Sequence, residues 1–355
     1  MNRIIFIISI LCLFTASSCY KDIGASSIAN NPWENIDFTA IGAIRTMHAA
    51  PVEVMAITDQ DFFRINSANE VIEERQIGLA ADYFGRPALG DWVFARFVEK
   101  NNRNVAEFHL ARNSNQIFDL IVNDIQVPAG TSINLEGTAT KNVGTFNDDS
   151  SQLAFVVELN RTEGSNFGIV IVDINLNGTK DEFVSVEVIK VVDIPEMRSN
   201  AQRMSSITFI GGAYYVTSKD GGFRVTANGN YQQVVSGWTL DAFDKEGTIY
   251  MTSFNDFDFF KSENNGVTFE RVGTTSPAKY VFKGDGQYFS HERRGAEFVL
   301  IDDDFEDVRD IVYNKEIKDK SNGDAFWNII YMGGRYYINV QGEIWFLEEI
   351  KLEEE

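Results

Sequence analysis

The chain is short of cysteine, histidine, proline and basic charge, and each shortage removes a class of function. Its two cysteines, Cys12 and Cys19, stand in the first twenty of 355 residues. Once a leader ending before Cys19 is removed, one thiol is left, which excludes an intramolecular disulfide and a Cys-rich zinc site. There are three histidines, His48, His109 and His291. His291-Glu292-Arg293-Arg294-Gly295 lacks the second His of a zinc protease, and each His reads as an ordinary surface or half-buried residue. A Gly-x-Ser-x-Gly nucleophile elbow, a phosphate loop and a dinucleotide fingerprint are all missing. Acids outnumber bases 52 to 31, a net charge of −21. Such a field repels phosphate backbones and excludes nucleic acid as a partner. It keeps an exposed protein soluble, or offers an acidic face to cations or a basic partner.

Aromatics are what the chain has in plenty, with 28 Phe and 12 Tyr against 6 Pro. Such a chain favours strands and turns over helices, and no segment reads as a helix of real length. One shape recurs. Phe209-Ile210-Gly211-Gly212-Ala213-Tyr214-Tyr215-Val216 is an apolar run, a Gly-centred turn and an aromatic run. The same shape returns around Gly247, Gly286 and Gly334, at steps of 35, 39 and 48 residues. A recurrence near forty residues, each unit a hairpin of aromatic strands, predicts β-propeller blades.

Three earlier units lack the Gly-aromatic signature. They lie at Val52–Ile65, at Trp92–Val122 and at Leu153–Val192, the last with an Asn177-Gly178 hairpin turn. Seven units result. Six is the count if Val127–Asp149, full of Gly, Thr and Asn, is an elaborate inter-blade loop. A pair of β-sandwiches would also give short strands with regular turns. Val71–Ala81 mixes helical and strand character, and Glu343–Leu347 reads as a closing strand.

The first residues carry a different message. Arg3 is followed by an apolar run from Ile4 to Phe14, then by Thr15-Ala16-Ser17-Ser18 and Cys19. This is a secretory leader, too short to anchor as a spanning helix. Ala16-Ser17-Ser18-Cys19 resembles the lipobox of bacterial lipoproteins, and the resemblance implies removal of residues 1–18 and lipidation of Cys19. Tyr20-Lys21-Asp22 is similar to the surface-export tag of Bacteroidetes lipoproteins. Residues 19–35, rich in Ser, Ala and Asn, read as a lipidated tether, and 36–355 as the propeller domain.

Two turns carry candidate chemistry. Ser262-Glu263-Asn264-Asn265-Gly266-Val267-Thr268-Phe269 resembles the Asp-box of BNR-repeat propellers such as sialidases, with Asn264 for the Asp and Phe269 for the Trp. The resemblance implies a structural role for Ser262, Asn264, Gly266, Thr268 and Phe269, with no substrate contact. Ser218-Lys219-Asp220-Gly221-Gly222-Phe223 reads as a shortened second copy. Asp173, Asn175, Asn177, Thr179 and Asp181 place oxygen ligands around Gly178 as in the front of a calcium loop, similar to those of FG-GAP propeller repeats. Calcium is the one cofactor implied; the Glu expected at the twelfth position is replaced by Val184. The stretch Phe254–Phe260 alternates aromatics with acids, so one set can face a sugar ring or a partner while the other packs inward.

The reading is an all-β, outer-membrane-anchored lipoprotein at the cell envelope, on either side of that membrane, with the resemblance to a surface-export tag pointing to the outer one. Its propeller binds a glycan or an envelope protein. The alternative is a glycan-degrading hydrolase on the same scaffold, sialidase-like or another glycosidase. Against it, no catalytic residues can be named: Arg45, Arg86, Arg96, Arg203 and Arg224 show no spacing that selects an arginine triad, and Tyr83-Phe84-Gly85-Arg86-Pro87 is a poor echo of the sialidase Arg-Ile-Pro signature.

Overall fold

The computed structural model describes residues 33–36, 44, 46–50, 53–58, 61–76, 83–85, 93–110, 117–134, 144–177, 182–198, 204–254, 259–272, 280–291, 297–301, 308–313 and 329–349. These residues form seven separate antiparallel sheets. The first strand, β1 (Glu34–Ile36), does not belong with its neighbours in sequence and is placed last. Blade one holds β2 (Thr46–Ala50), β3 (Glu53–Ile57), β4 (Asp61–Asn66) and β5 (Val71–Gln76). Blade two holds β6 (Tyr83–Gly85), β7 (Val93–Lys100), β8 (Arg103–Leu110) and β9 (Ile117–Ile121). Blade three holds β10 (Thr131–Asn134), β11 (Gly144–Phe146), β12 (Gln152–Arg161), β13 (Gly164–Asn177) and β14 (Glu182–Arg198). Blade four holds β15 (Met204–Ile210), β16 (Ala213–Ser218), β17 (Gly221–Thr226) and β18 (Tyr231–Ser236). Blade five holds β19 (Thr239–Lys245), β20 (Thr248–Ser253), β21 (Phe259–Ser262) and β22 (Glu270–Val272). Blade six holds β23 (Tyr280–Gly284), β24 (Gln287–His291), β25 (Glu297–Ile301) and β26 (Val308–Tyr313). Blade seven holds β27 (Ile329–Met332), β28 (Arg335–Val340) and β29 (Glu343–Leu347), and its outermost strand is β1.

The fold is thus a seven-bladed propeller, and the sandwich-pair and six-blade alternatives fall. The expected closing strand, Glu343–Leu347, is the third strand of its blade. Closure comes from β1, whose Glu34, Asn35 and Ile36 pair with Phe346, Trp345 and Ile344. Trp33, Glu34 and Asn35, read from sequence as tether, therefore belong to the body. Trp33 is buried in an apolar cluster with Phe289, Tyr336, Ile338 and Trp345. A three-residue strand with two exposed polar residues leaves almost no periodic signal. The segment expected as an inter-blade loop, Val127–Asp149, instead carries β10 and β11. Strand β11 pairs with Leu153–Phe155 of β12, and β10 with Glu158–Arg161 on the same edge. Val71–Ala81, ambiguous in sequence, supplies the outer strand β5 as far as Gln76.

The repeat signature is an inter-blade zipper. The second and third residues after each turn glycine point to opposite sheet faces. Tyr214 packs toward blade three with Phe167 and Ile169, and Tyr215 toward blade five with Ile249 and Met251. Tyr336 likewise packs toward blade six, and Tyr337 toward blade one. Among the described residues, six apolar clusters fill consecutive junctions, from blades two and three round to blades seven and one.

The two ends of the ring differ. Ser218, ending β16, donates its N–H to Thr239 Oγ1 at the start of β19 (3.3 Å). Innermost strands therefore begin where second strands end. The connections between blades and between second and third strands share one end, here called the crossover face. The Gly hairpins and the turns before each outermost strand share the other, here called the turn face.

Candidate functional site

The Asp-box-like segment lies on the turn face between β21 and β22, the outer strands of blade five. Ser262 Oγ accepts the Gly266 N–H (2.9 Å) and donates to Asn264 Oδ1 (2.9 Å). Asn264 Oδ1 also accepts the Thr268 N–H (3.0 Å), and its amide donates to Thr268 Oγ1 (2.8 Å). Gly266 has φ +74°, and a Cβ there would lie 1.8 Å from Tyr215 Oη of blade four. Phe269 packs on the cluster between blades four and five and meets Tyr215 edge-on at 6.4 Å. The side chains of Ser262, Asn264 and Thr268 are spent on the turn, and Phe269 points into the body. Ser218–Phe223 is no equivalent of it, since it spans β16 to β17, second strand to third, on the crossover face.

The calcium-loop residues lie elsewhere on the turn face, where β13 and β14 run past the end of β12. Asp173, Asn175 and Asn177 are successive same-side positions of β13, opposite Glu187, Ser185 and Glu182. Asn175 donates its amide to Asp173 Oδ2 (3.2 Å) and to Ser185 Oγ (3.0 Å). An extended strand puts the first and last of the three about 13 Å apart, so this part of the set does not converge on one ion. Thr179 and Asp181 lie outside the described residues, as does Cys19. Among the described residues no three of His, Cys, Asp and Glu come together to hold a metal, and no helix is long and apolar enough to cross a membrane.

On the crossover face, Phe254 stacks on Trp238 with ring centroids 4.0 Å apart and 26° between planes. The Phe254 N–H closes the pair onto Trp238 O (2.9 Å). Phe254 is exposed and Phe259 is buried, so the aromatic stretch divides between surface and core. Its residues 255–258 lie outside the described set.

Two polar arrangements were not anticipated from the sequence. The first ties the innermost strands. Asp241 of β19 accepts from Ser206 Oγ of blade four (3.2 Å) and from the Val281 N–H of blade six (2.9 Å), spanning three blades. Thr217 Oγ1 donates to Leu240 O (2.9 Å), and at the equivalent place Asn339 donates to Ile44 O (2.8 Å). The sequence signal was a polar residue five places after the turn glycine: Thr217, Thr252 and Asn339 after Gly212, Gly247 and Gly334.

The second is an ion cluster inside blade two, on the sheet side turned toward blade one. Glu107 of β8 accepts from Arg96 and Lys100 of β7, and Lys100 also reaches Asp119 of β9 (2.9 Å). His109 Nε2 lies 3.2 Å from Glu107 Oε2. Glu107, Arg96 and His109 are all buried. Burial pushes the Glu107 carboxyl up, but hydrogen bonds from Lys100 and then Arg96 outweigh it and hold it at about 2. Burial pushes His109 below its usual value, against the pull of Glu107. Arg96 Nη1 is buried without a hydrogen-bond partner. His109, expected at the surface or half-buried, is thus a core residue of an ionic network. The register placed it there: positions 107 and 109 share one side of β8, while Ala106, Phe108 and Leu110 fill the other.

A groove of about 750 Å³ separates the outer edges of blades two and three. Leu120, Ile125 and Val127 line one wall, and Val186, Val188 and Ile189 of β14 the other.

Neither a family model nor a curated protein matches this sequence. Solved structures do. The WD40 domain of Pan2 from Neurospora crassa is 11% identical, with a TM-score of 0.52 over 90% of this chain and 97% of that one. The extracellular domain of a hybrid two component system of B. thetaiotaomicron is 10% identical, with a TM-score of 0.51 over 92% of this chain. PorZ, a surface component of the type-IX secretion system of Porphyromonas gingivalis, is 8% identical, with a TM-score of 0.49 over 89% of this chain. The chain spans 40% and 38% of the lengths of these last two. The likeness establishes the propeller, and the neighbours include proteins of Bacteroidetes.

Proposed function

We propose that this chain is a cell-envelope lipoprotein, anchored to the outer membrane through Cys19, whose propeller is a binding scaffold for a glycan or an envelope protein. One observation supports the reading above the rest: where the chain enters the body. Strand β1 runs as an outermost strand, so Trp33 enters on the turn face. A tether from Cys19 reaches that face across fourteen residues, at most about 50 Å. The crossover face then points away from the membrane. It carries the blade-to-blade connections and the Trp238–Phe254 pair, and propellers offer such connections to ligands.

The test has two parts. Expressed with its leader in a Gram-negative host, the protein should partition into detergent and carry acyl mass on Cys19, and Cys19→Ser should release it. A photo-crosslinker at exposed Lys219 on the crossover face should capture a partner, while one at Glu246 on the turn face should capture none. Unmodified Cys19 in a soluble chain would sink the anchor. Capture from Glu246 alone would reverse the orientation.

A further inference from the structure

Eight large apolar side chains are exposed among the described residues, and six of them share one rim. Val71 and Ile72 open β5, Ile117 opens β9, Val184 stands near the start of β14, Tyr231 opens β18, and Val267 sits in the turn before β22. Each marks the corner where the third strand of a blade passes to the outermost strand. Blades one to five each supply at least one, all on the turn face. Scattered apolar surface is ordinary, but a repeat of one corner round the ring is not scatter. Val184, at 66% the most exposed of the set, stands on a projecting edge. There β13 and β14 project past Gln152, where β12 begins, by the four residues Ile174–Asn177, about 13 Å.

The same face receives the chain at Trp33, so a tether from Cys19 would hold this rim within reach of the bilayer. We infer that the turn-face rim seats on the lipid surface, with Val184 and Val267 entering the headgroup boundary. This rests on the anchored reading above. The lipid is zwitterionic: the corners carry both signs, with Lys261 paired to Glu263 (3.2 Å) and Glu270 (3.0 Å) and with Glu70 and Glu182 at their own corners, while the net charge of −21 repels an anionic surface. The apolar corners are too widely spaced to hold the membrane unaided. The tether supplies the missing affinity by keeping the rim at high local concentration.

The assay replaces the acyl anchor, so that the fate of Cys19 does not enter it. The chain from Tyr20 onward, which holds every described residue and no cysteine, carries an N-terminal histidine tag bound to nickel-chelating lipid in phosphatidylcholine vesicles. Single fluorophores are placed at Val184→Cys, Val267→Cys and, at the opposite end of blade three, Glu163→Cys. With quencher lipids present, the labels at 184 and 267 should lose most of their fluorescence and the label at 163 should keep it. Adding anionic lipid should restore the rim signal. Equal quenching at all three positions, or none at any, overturns the seat; none at the rim leaves it open to a protein partner instead. Acylation of Cys19 is read separately, by mass spectrometry of protein taken from membranes.

Discussion

At the scale of single residues, blade two shows what a buried charge does to its neighbours. Glu107 is held ionised by Lys100 and Arg96, and His109 is held neutral by burial. These have separate acid signatures. Unfolded His109 takes up a proton below about pH 6.5, whereas folded His109 resists. The unfolded state then binds more protons, and stability falls as the pH drops through that region. Glu107 acts lower: its contribution is complete above its unfolded value of 4.5 and is lost as the pH falls toward about 2. His109→Gln keeps an amide near Glu107 without the titration. Urea midpoints at pH 7.5, 5.5 and 3.5 should then show the upper decline flattened and the lower one intact. With three histidines in the whole chain, the change is readable. An unaltered slope between pH 7.5 and 5.5 would show that His109 takes up its proton in the folded state.

At the scale of elements, the turn Ser262–Phe269 joins local chemistry to packing. Asn264 works through its acceptor oxygen, which takes the Thr268 N–H and the Ser262 hydroxyl. Asn264→Asp keeps that oxygen and should hold stability within about 0.5 kcal/mol. Asn264→Ala strands both donors and should cost about 1–2 kcal/mol. Gly266→Ala should cost more, about 2–4 kcal/mol, because a Cβ meets the Tyr215 hydroxyl and φ is positive. Thermal unfolding of the three variants checks the order, and Asp behaving like Ala would remove the likeness to an Asp-box. This turn was legible because Gly, Asn and Thr are forced by local geometry. So were blades four to seven, whose two-residue Gly turns sit between aromatic strands. Blade three was harder. Its innermost strand is three residues long, and β14 is bulged. Val184 and Ile189 are passed over in the ladder, and a third shift falls between Asn166 and Gly168, so strict alternation is broken three times along one strand. Such bulges also blunt a seventeen-residue edge against pairing with another chain.

At the scale of the whole molecule, the ring is closed by three residues of β1 and the indole of Trp33. That latch was invisible in sequence, because its hydrogen bonds are to Ile344–Phe346, over three hundred residues away, and its pattern is too short for periodicity. The latch is also the first described segment after the proposed anchor, so it joins the proposed tether to both ends of the ring. Propeller blades pack on their neighbours all round, and opening one junction should first free the two blades that flank it. Trp33 fills a cluster shared by blades six and seven. Trp33→Ala should therefore cost about 3–5 kcal/mol, and its effect should be uneven. Native-state hydrogen exchange should quicken in β23–β26 and in β27–β29, while β10–β14, on the far side, keep their protection. If exchange rises equally in all blades, the ring opens as one cooperative unit and the latch is no weak point. If it rises only beside the latch, the segment on which the proposed tether pulls is also where the fold first gives way, and load on that tether falls on the junction of blades six and seven.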